Sequence, residues 1–277
     1  MARRDLLPMV QEALEGRYTV IKEVGRGGAA RVFHALDKDG VPRAVKILHP
    51  ELAVTVTAER FLREVEFLRG LSHPQIADVI DTGESHFFIY YVMSFIEGPT
   101  IRRHLDRVRR ASVSDTVRIA NDMLGALGYA HENHVVHRDV KPENIVLSSD
   151  GAILLDFGIA KAVAAAGMTR LTRSGFTVGT SAYMSPEQIS GAEDIDHRSD
   201  LYSLSCVLFE CLAGRPPFVH PREEMVLRSQ QTDDPPDVRE FRVDTPANLA
   251  SAIGKGLRKD PADRWQSAAE MCRAITP

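Results

Sequence analysis

His137-Arg138-Asp139-Val140-Lys141-Pro142-Glu143-Asn144, followed by Asp156-Phe157-Gly158, is the stretch on which the reading of this 277-residue chain turns. Two aspartates, a lysine and an asparagine fall close together in it. In-line transfer of a phosphoryl group to a hydroxyl asks for such groups: a carboxylate to orient the hydroxyl and take its proton, oxygen ligands for Mg2+, and a cation beside the moving group. Asp139 suits the first need, Asn144 and Asp156 the second, and Lys141 the third. One aspartate alone would read as a turn or cap residue. Eleven positions filled in order read as a site.

Upstream, Tyr18 to Val24 alternates with period two, Gly25-Arg26-Gly27-Gly28 follows, and a second run spans Arg31 to Asp37. That order predicts strand, glycine turn, strand. A dinucleotide-binding loop would lead into a helix, whereas this one leads into a strand. Without Cβ atoms, the backbone N–H groups of Gly25, Gly27 and Gly28 can approach phosphate oxygens closely. Pro42 to Leu48 predicts a third strand carrying Lys46, and 58–69 a helix with Phe61, Val65 and Leu68 on one face. Glu64 lies on that apolar face. A buried carboxylate needs a cation, and Lys46 is the natural partner. A further strand-rich stretch is expected from Phe87 to Met93, and a short helix within 5–15.

Downstream the pattern is mostly helical. Ser112 and Asp115 give a capping signature for a helix to about Asn133, with Val117, Ala120, Leu124 and Leu127 as its stripe. Short strands are expected at Ile145–Leu147 and Ala152–Leu155, then a long loop from Gly158 to Met184, then helices from Asp200 onward. The composition, 44% hydrophobic and 26% charged with net charge −4, is that of a globular chain and calls for no nucleic-acid partner. Cys206, Cys211 and Cys272 form no CxxC pair, so no disulfide framework is expected, and the first two read as core residues. The N-terminus lacks the apolar run of a secretory signal, and no stretch reaches the roughly 20 apolar residues of a spanning helix. The expectation is a soluble, cytoplasmic segment. Because the last expected helix ends near Pro277, the segment is also expected to be part of a longer, membrane-anchored protein.

With those motifs in place, residues 17–273 resemble the eukaryotic-type (Hanks-type) protein kinases, whose signature set they follow. The resemblance implies an α+β, two-lobed protein-kinase fold forming a single domain over 1–277. A β-rich N-lobe with one main helix would span 17–93, a hinge 94–97, and a mostly helical C-lobe 98–277. It implies ATP and Mg2+ as cofactors, with Mn2+ an alternative metal. Lys46 would engage the nucleotide phosphates, held by Glu64; Asp139 would be the catalytic base, assisted by Lys141; Asn144 and Asp156 would ligate the metal. Gly25, Gly27, Gly28, Val32, Ala44, Met93 and Phe95 would complete the ATP contacts. Met184-Ser185-Pro186-Glu187 matches a family motif whose glutamate is expected to pair with Arg264, and Asp200 matches the residue that braces the catalytic-loop backbone.

Lys141 and the segment Gly179-Thr180-Ser181-Ala182-Tyr183 look like serine/threonine kinases, and GTSAYMSPEQ is similar to the bacterial branch that includes mycobacterial receptor kinases. The implied partners are protein Ser/Thr substrates, with an N-lobe homodimer as in related bacterial kinases. Arg138 beside Asp139 implies control by a phosphorylated loop, since a phosphate brings about −1.5 to −2 charge that arginine can order. Among Thr169, Thr172, Ser174 and Thr177, the expected autophosphorylation sites are Thr172 and Ser174, with Thr180 also counted as regulatory. Three departures from the family pattern stand out: Ala30 at the third glycine position, Ser205 where glycine is common, and Ser94-Phe95 after Met93. None removes a reacting group. His131, His134 and His137 are spaced by three, but His137 belongs to the motif and no zinc is expected. The basic run from Arg102 to Arg110 reads as a solvated helix face. Rival readings are a pseudokinase scaffold, which loss of Lys46, Asp139 or Asp156 would favour, and a small-molecule phosphotransferase, which the 179–187 segment, built to present a peptide, argues against.

Overall fold

The computed structural model describes residues 6–26, 30–48, 62–63, 65–66, 68–85, 88–157 and 180–275. Gly27, Gly28, Glu64, Gly158, Thr169, Thr172, Ser174, Thr177 and the side chain of Thr180 lie outside the described residues, as does most of the expected helix over 58–69. The chain forms two compact units. The first takes its described residues from 1–72 and 77–95, and the second from 73–76, 96–160 and 178–277.

In the first unit the period-two runs form strands β1 (Thr19–Arg26), β2 (Ala30–Leu36) and β3 (Pro42–Leu48), joined by β4 (Val79–Glu84) and β5 (Ile89–Ser94). They make one antiparallel sheet in the order β1-β2-β3-β5-β4. Strand β4 was absent from the expectations. Its sequence, Val79-Ile80-Asp81-Thr82-Gly83-Glu84, carries turn-forming residues and no buried position, because it is an edge strand. Gly83 is there for space. A Cβ on it would fall 2.4 Å from the hydroxyl of Tyr90 on β5.

Helix α1 (Leu7–Ala13) lies on one face of this sheet. Its Val10 and the following Leu14 join Val20, Phe33, Ala35, Val45, Ile47, Tyr90 and Val92 in one buried cluster. Strand alternation then turns the intervening residues to the opposite face. Val32 pairs with Lys46, and Lys46 with Tyr91; Ala44 pairs with His34 and Met93. The packing of α1 thereby fixes which face carries Lys46.

The second unit is built on helices. Thr100 caps α2 (Ile101–Val108), and Ser112 caps α3 (Val113–Glu132) by accepting from the N–H of Asp115 at 3.0 Å. The buried stripe of α3 runs through Thr116, Ile119, Ala120, Met123 and Leu127, so the expected Val117 sits at its margin. A two-stranded ribbon, β6 (Ile145–Ser148) with β7 (Gly151–Leu154), follows the Asp139 loop. Helix α4 (Pro186–Ser190) starts in a capping box made by Ser185 and Gln188.

Helix α5 (Arg198–Ala213) is the centre of the unit, and every residue from Ser199 to Ala213 is buried. A helix with apolar residues on every side belongs inside. Around it pack α3, α7 (Ala247–Gly256) and the turn Thr180–Tyr183, with α6 (Glu223–Thr232) and α8 (Ala268–Ile275) outside them. Ser205, the departure from glycine on α5, is accommodated by a glycine on the facing helix. A Cβ on Gly256 would lie 2.0 Å from the Ser205 Oγ, which donates to the carbonyl of Leu201 at 2.7 Å.

Candidate active site

Of the expected nucleotide residues, the first unit places Gly25, Val32, Ala44, Lys46 and Met93 on one sheet face. Gly25 pairs with Val32, Val32 with Lys46, and Ala44 with Met93. The Lys46 ammonium lies 5.8 Å from the centroid of the Tyr91 ring. Phe95, just past β5, stacks on His34 with ring centroids 4.3 Å apart. Glu23 accepts from Arg26 at 2.8 Å and from Arg31, joining the strand ends on either side of the glycine turn. These hydrogen bonds to Arg26 and Arg31 hold the Glu23 carboxyl down at about 2.

In the second unit the loop around Asp139 hangs from α5. The buried Asp200 carboxylate accepts the backbone N–H of His137 and that of Arg138, each at 2.8 Å, and lies 2.9 Å from Nε2 of His131. Burial opposes its ionisation, yet the hydrogen bond to His131, the neighbouring imidazole rings and the backbone N–H of His137 outweigh it and hold the carboxyl below the usual carboxylate range. Arg138 and Asp156 both have left-handed backbones, with φ of 66° and 58°. Non-glycine residues keep that conformation only where surroundings over-determine it. For Arg138 they do: its N–H goes to Asp200, its carbonyl accepts from Gln188 at 2.7 Å, and its guanidinium donates to the Ile195 carbonyl at 3.2 Å.

His137 is fully buried and joins the Asp139 loop to the Asp156 segment. Its Nδ1 accepts the backbone N–H of Asp139 at 3.1 Å, so Nε2 carries the proton and donates to the Leu155 carbonyl at 2.8 Å. Its ring also meets Phe157 edge-on, centroids 4.7 Å apart. Hydrogen bonding thus accounts for the placement of His137 and, through Asp200, of His131.

Lys141 and Asn144 converge on Asp139. Lys141 Nζ donates to its carboxylate at 2.8 Å, and Asn144 Nδ2 donates both to its Oδ2 at 2.9 Å and to its backbone carbonyl at 2.8 Å. Since both bonds use the Asn144 amide nitrogen, the Asn144 oxygen is turned elsewhere, as a hard-cation ligand needs to be. The arrangement can hold a carboxylate in one orientation beside a fixed cation. That is what accepting a proton from an incoming hydroxyl demands.

The expected Glu187–Arg264 pair forms in bidentate geometry, at 2.7 and 2.8 Å, with Arg264 wholly buried. Burial works against the Glu187 charge, but the Arg264 and Ser199 bonds prevail and lower its pKa. Cys206 and Cys211 lie fully buried on α5, and burial pushes both thiols up to about 12. One cluster was missed at the sequence level. Arg102 on α2 pairs with the buried Glu210 of α5, which also accepts the Tyr183 hydroxyl. A glutamate inside Cys206-Val207-Leu208-Phe209-Glu210-Cys211-Leu212 was the available signal, because an unpaired charge does not stay in an apolar helix.

Among the described residues no helix is long and apolar enough to cross a membrane. The protein kinase domain pattern matches residues 18–274. A probable serine/threonine-protein kinase of Streptomyces coelicolor is 40% identical over 265 residues, covering 93% of this chain and 39% of the relative. The serine/threonine-protein kinase PknB of Mycobacterium tuberculosis is 37% identical over 265 residues, with 93% and 42% covered. PknD of the same species is 37% identical over 275 residues, with 98% and 40% covered. The chain thus spans about two fifths of the length of these relatives. Matched from Tyr18 to Ala274, and with its Asp139 loop, Asp200 brace and Glu187–Arg264 pair built as described, the chain belongs to the protein kinase domain family.

Proposed function

We propose that this chain is an ATP-dependent protein serine/threonine kinase, self-activated by phosphorylation of its own loop. The observation that carries the reading is the Lys141–Asp139–Asn144 constellation, held on a loop whose backbone is fixed by Asp200. Its family membership and the names of its relatives support the hydroxyl class.

Within this reading Asp139 orients the Ser/Thr hydroxyl and takes its proton, while Lys141 offsets the charge that builds on the transferred group. Asn144 and Asp156 would hold Mg2+, or Mn2+ in its place. The metal, when bound, neutralises charge on the phosphate oxygens. Lys46, kept in place by Glu64, aligns the ATP phosphates beneath Gly25, Gly27 and Gly28. Val32, Ala44, Met93 and Phe95 form the apolar seat for the base. Arg138 receives the phosphate of Thr172 or Ser174, and Thr180 belongs to the same regulatory segment. The lobes of this reading are 17–93 and 98–277, joined by 94–97. Pairing of two copies through the first lobe, and attachment to a membrane-anchored whole, belong to the same proposal.

The test is radiolabelled transfer from ATP–Mg2+ by the purified chain beside Asp139→Asn, with phosphosites mapped by mass spectrometry. Label on wild type at Thr172 or Ser174, with at least about a hundredfold loss in the variant, is expected for removal of a general base. No label on the chain or on a generic protein substrate, from a folded sample, would return the reading to a pseudokinase scaffold.

A further inference from the structure

The Arg102 cluster has no part in the roles above. Its guanidinium, on α2, pairs with Glu210 on α5, whose side chain is 4% exposed. Its Nε lies 3.8 Å from the carboxylate of Glu143 and 3.9 Å from that of Asp106. Glu143 adjoins Asn144, which bonds Asp139 directly. The second carboxylate oxygen of Glu210 accepts from Tyr183, the last residue of the Thr180–Tyr183 turn. That turn belongs to the segment read from sequence as presenting the substrate peptide. One arginine therefore sits among three carboxylates, and two structural links tie it to the acceptor side of Asp139.

We propose that Arg102 sets substrate preference by acting as the internal counter-ion of Glu210 and Glu143, so that a basic side chain of a protein substrate finds neither carboxylate available. The inference rests on the protein-kinase reading above. Arg102 is held by a nearly buried partner, and breaking such a pair strands a charge in a low-dielectric place. A substrate arginine would have to displace a tethered one that pays no cost of association, so the internal residue wins. With Arg102 removed, the half-exposed Glu143 and the buried Glu210 become an acidic recess that an incoming arginine can fill.

The experiment uses the active chain and peptides with one Ser or Thr, in which arginine replaces alanine at each flanking position in turn. Wild type should gain no more than about twofold in kcat/KM from arginine at any position. Arg102→Gln should gain about fivefold or more at one position or more, through KM, as expected for a new partly exposed ion pair. Arg102→Lys should keep the wild-type profile, and the gain should vanish in Arg102→Gln/Glu143→Gln. An unchanged profile in Arg102→Gln, or a gain that survives loss of Glu143, overturns the proposal. Should Arg102→Gln not fold, wild type still decides: a preference of about fivefold for arginine at any position sinks the idea. Wild type that phosphorylates no peptide and no generic protein instead sinks the kinase reading beneath it.

Discussion

Replacing Asp200 with asparagine isolates what holds the Asp139 loop in place, because the two side chains differ by little more than charge and one acceptor. The carboxylate accepts from two backbone N–H groups and faces Nε2 of His131. An amide offers one oxygen, so one N–H, from His137 or Arg138, is left facing an NH2 group. A buried donor stranded in this way costs about 1–3 kcal/mol. The bond that survives loses its charge assistance, about another 1 kcal/mol. Against this, a neutral amide no longer pays for burying a charge. The direction of the Asp200 pKa decides between them: it is lowered although burial raises it, so the bonds to the ionised form exceed the burial penalty. The net destabilisation is then positive but below the gross cost of about 2–4 kcal/mol, a melting temperature lower by up to roughly 15 °C for a unit of this size.

Activity should fall further than stability alone explains. Arg138 holds its left-handed backbone against a cost of about 1–3 kcal/mol, and the Asp200 bond is one of the contacts that hold it there. Asp139 is the next residue, and a displacement of about 1 Å at a reacting group costs on the order of a hundredfold. We expect kcat to drop by roughly that factor below the melting range, with KM for ATP little changed. The pH dependence has a definite sign. A carboxyl whose folded pKa is depressed contributes stability above its unfolded pKa, and that contribution is lost as pH falls through the folded value. The gap between wild type and Asp200→Asn should therefore be full at neutral pH and narrow on acidification below the ordinary carboxylate range. Paired thermal melts across pH and steady-state kinetics provide the assay. A variant melting within about 2 °C of wild type, with unchanged kcat, would refute the reasoning.

Two further substitutions probe the scaffold. Glu187→Gln removes the charge facing the fully buried Arg264 and leaves it one amide oxygen beside the carbonyls of Arg198, Arg258 and Lys259, and should cost about 3 kcal/mol, the lower end for a broken buried pair, read by urea unfolding. Gly256→Ala places a methyl group against Ser205 and should cost about 1–3 kcal/mol despite the better helix propensity of alanine. In a Ser205→Gly background the same change should be nearly neutral, so purely additive melting shifts would count against the contact.

The sequence was most legible where a motif and a period coincided. Strand β3 was placed at its observed limits, Pro42–Leu48, because Val45 and Ile47 favour an extended chain and Lys46 marks it. Ser112 announced the start of α3 because its side chain is the cap. Strand β4 went unseen since an edge strand need not alternate, and Asp81 and Gly83 speak locally for a turn although Gly83 serves Tyr90 on the neighbouring strand. In the site, residue types and order were visible, and the resemblance supplied the Glu187–Arg264 pair and the Asp200 brace, but other contacts between distant segments were not. Nothing local in Gln188 tells of its bond to the Arg138 carbonyl 50 residues away, and nothing in Arg102 tells of Glu210.

What joins the legible motifs to the hidden contacts is helix α5. A helix buried on every side should carry few polar residues, and four of those on α5 have a task in the site. Ser199 donates to Glu187, Asp200 holds the loop before Asp139, Ser203 donates to the Tyr183 carbonyl at 2.8 Å, and Glu210 binds Arg102 and the Tyr183 hydroxyl. Four polar side chains on one helix thus fix three separate segments to a common axis. Because α5 is also the hydrophobic centre of its unit, the positions of these segments are set by the same packing that stabilises the fold. Substitutions on its apolar side, far from Asp139 in sequence, should therefore disturb catalysis together with stability, whereas substitutions on the exposed face of α2 that leave Arg102 in place should disturb neither.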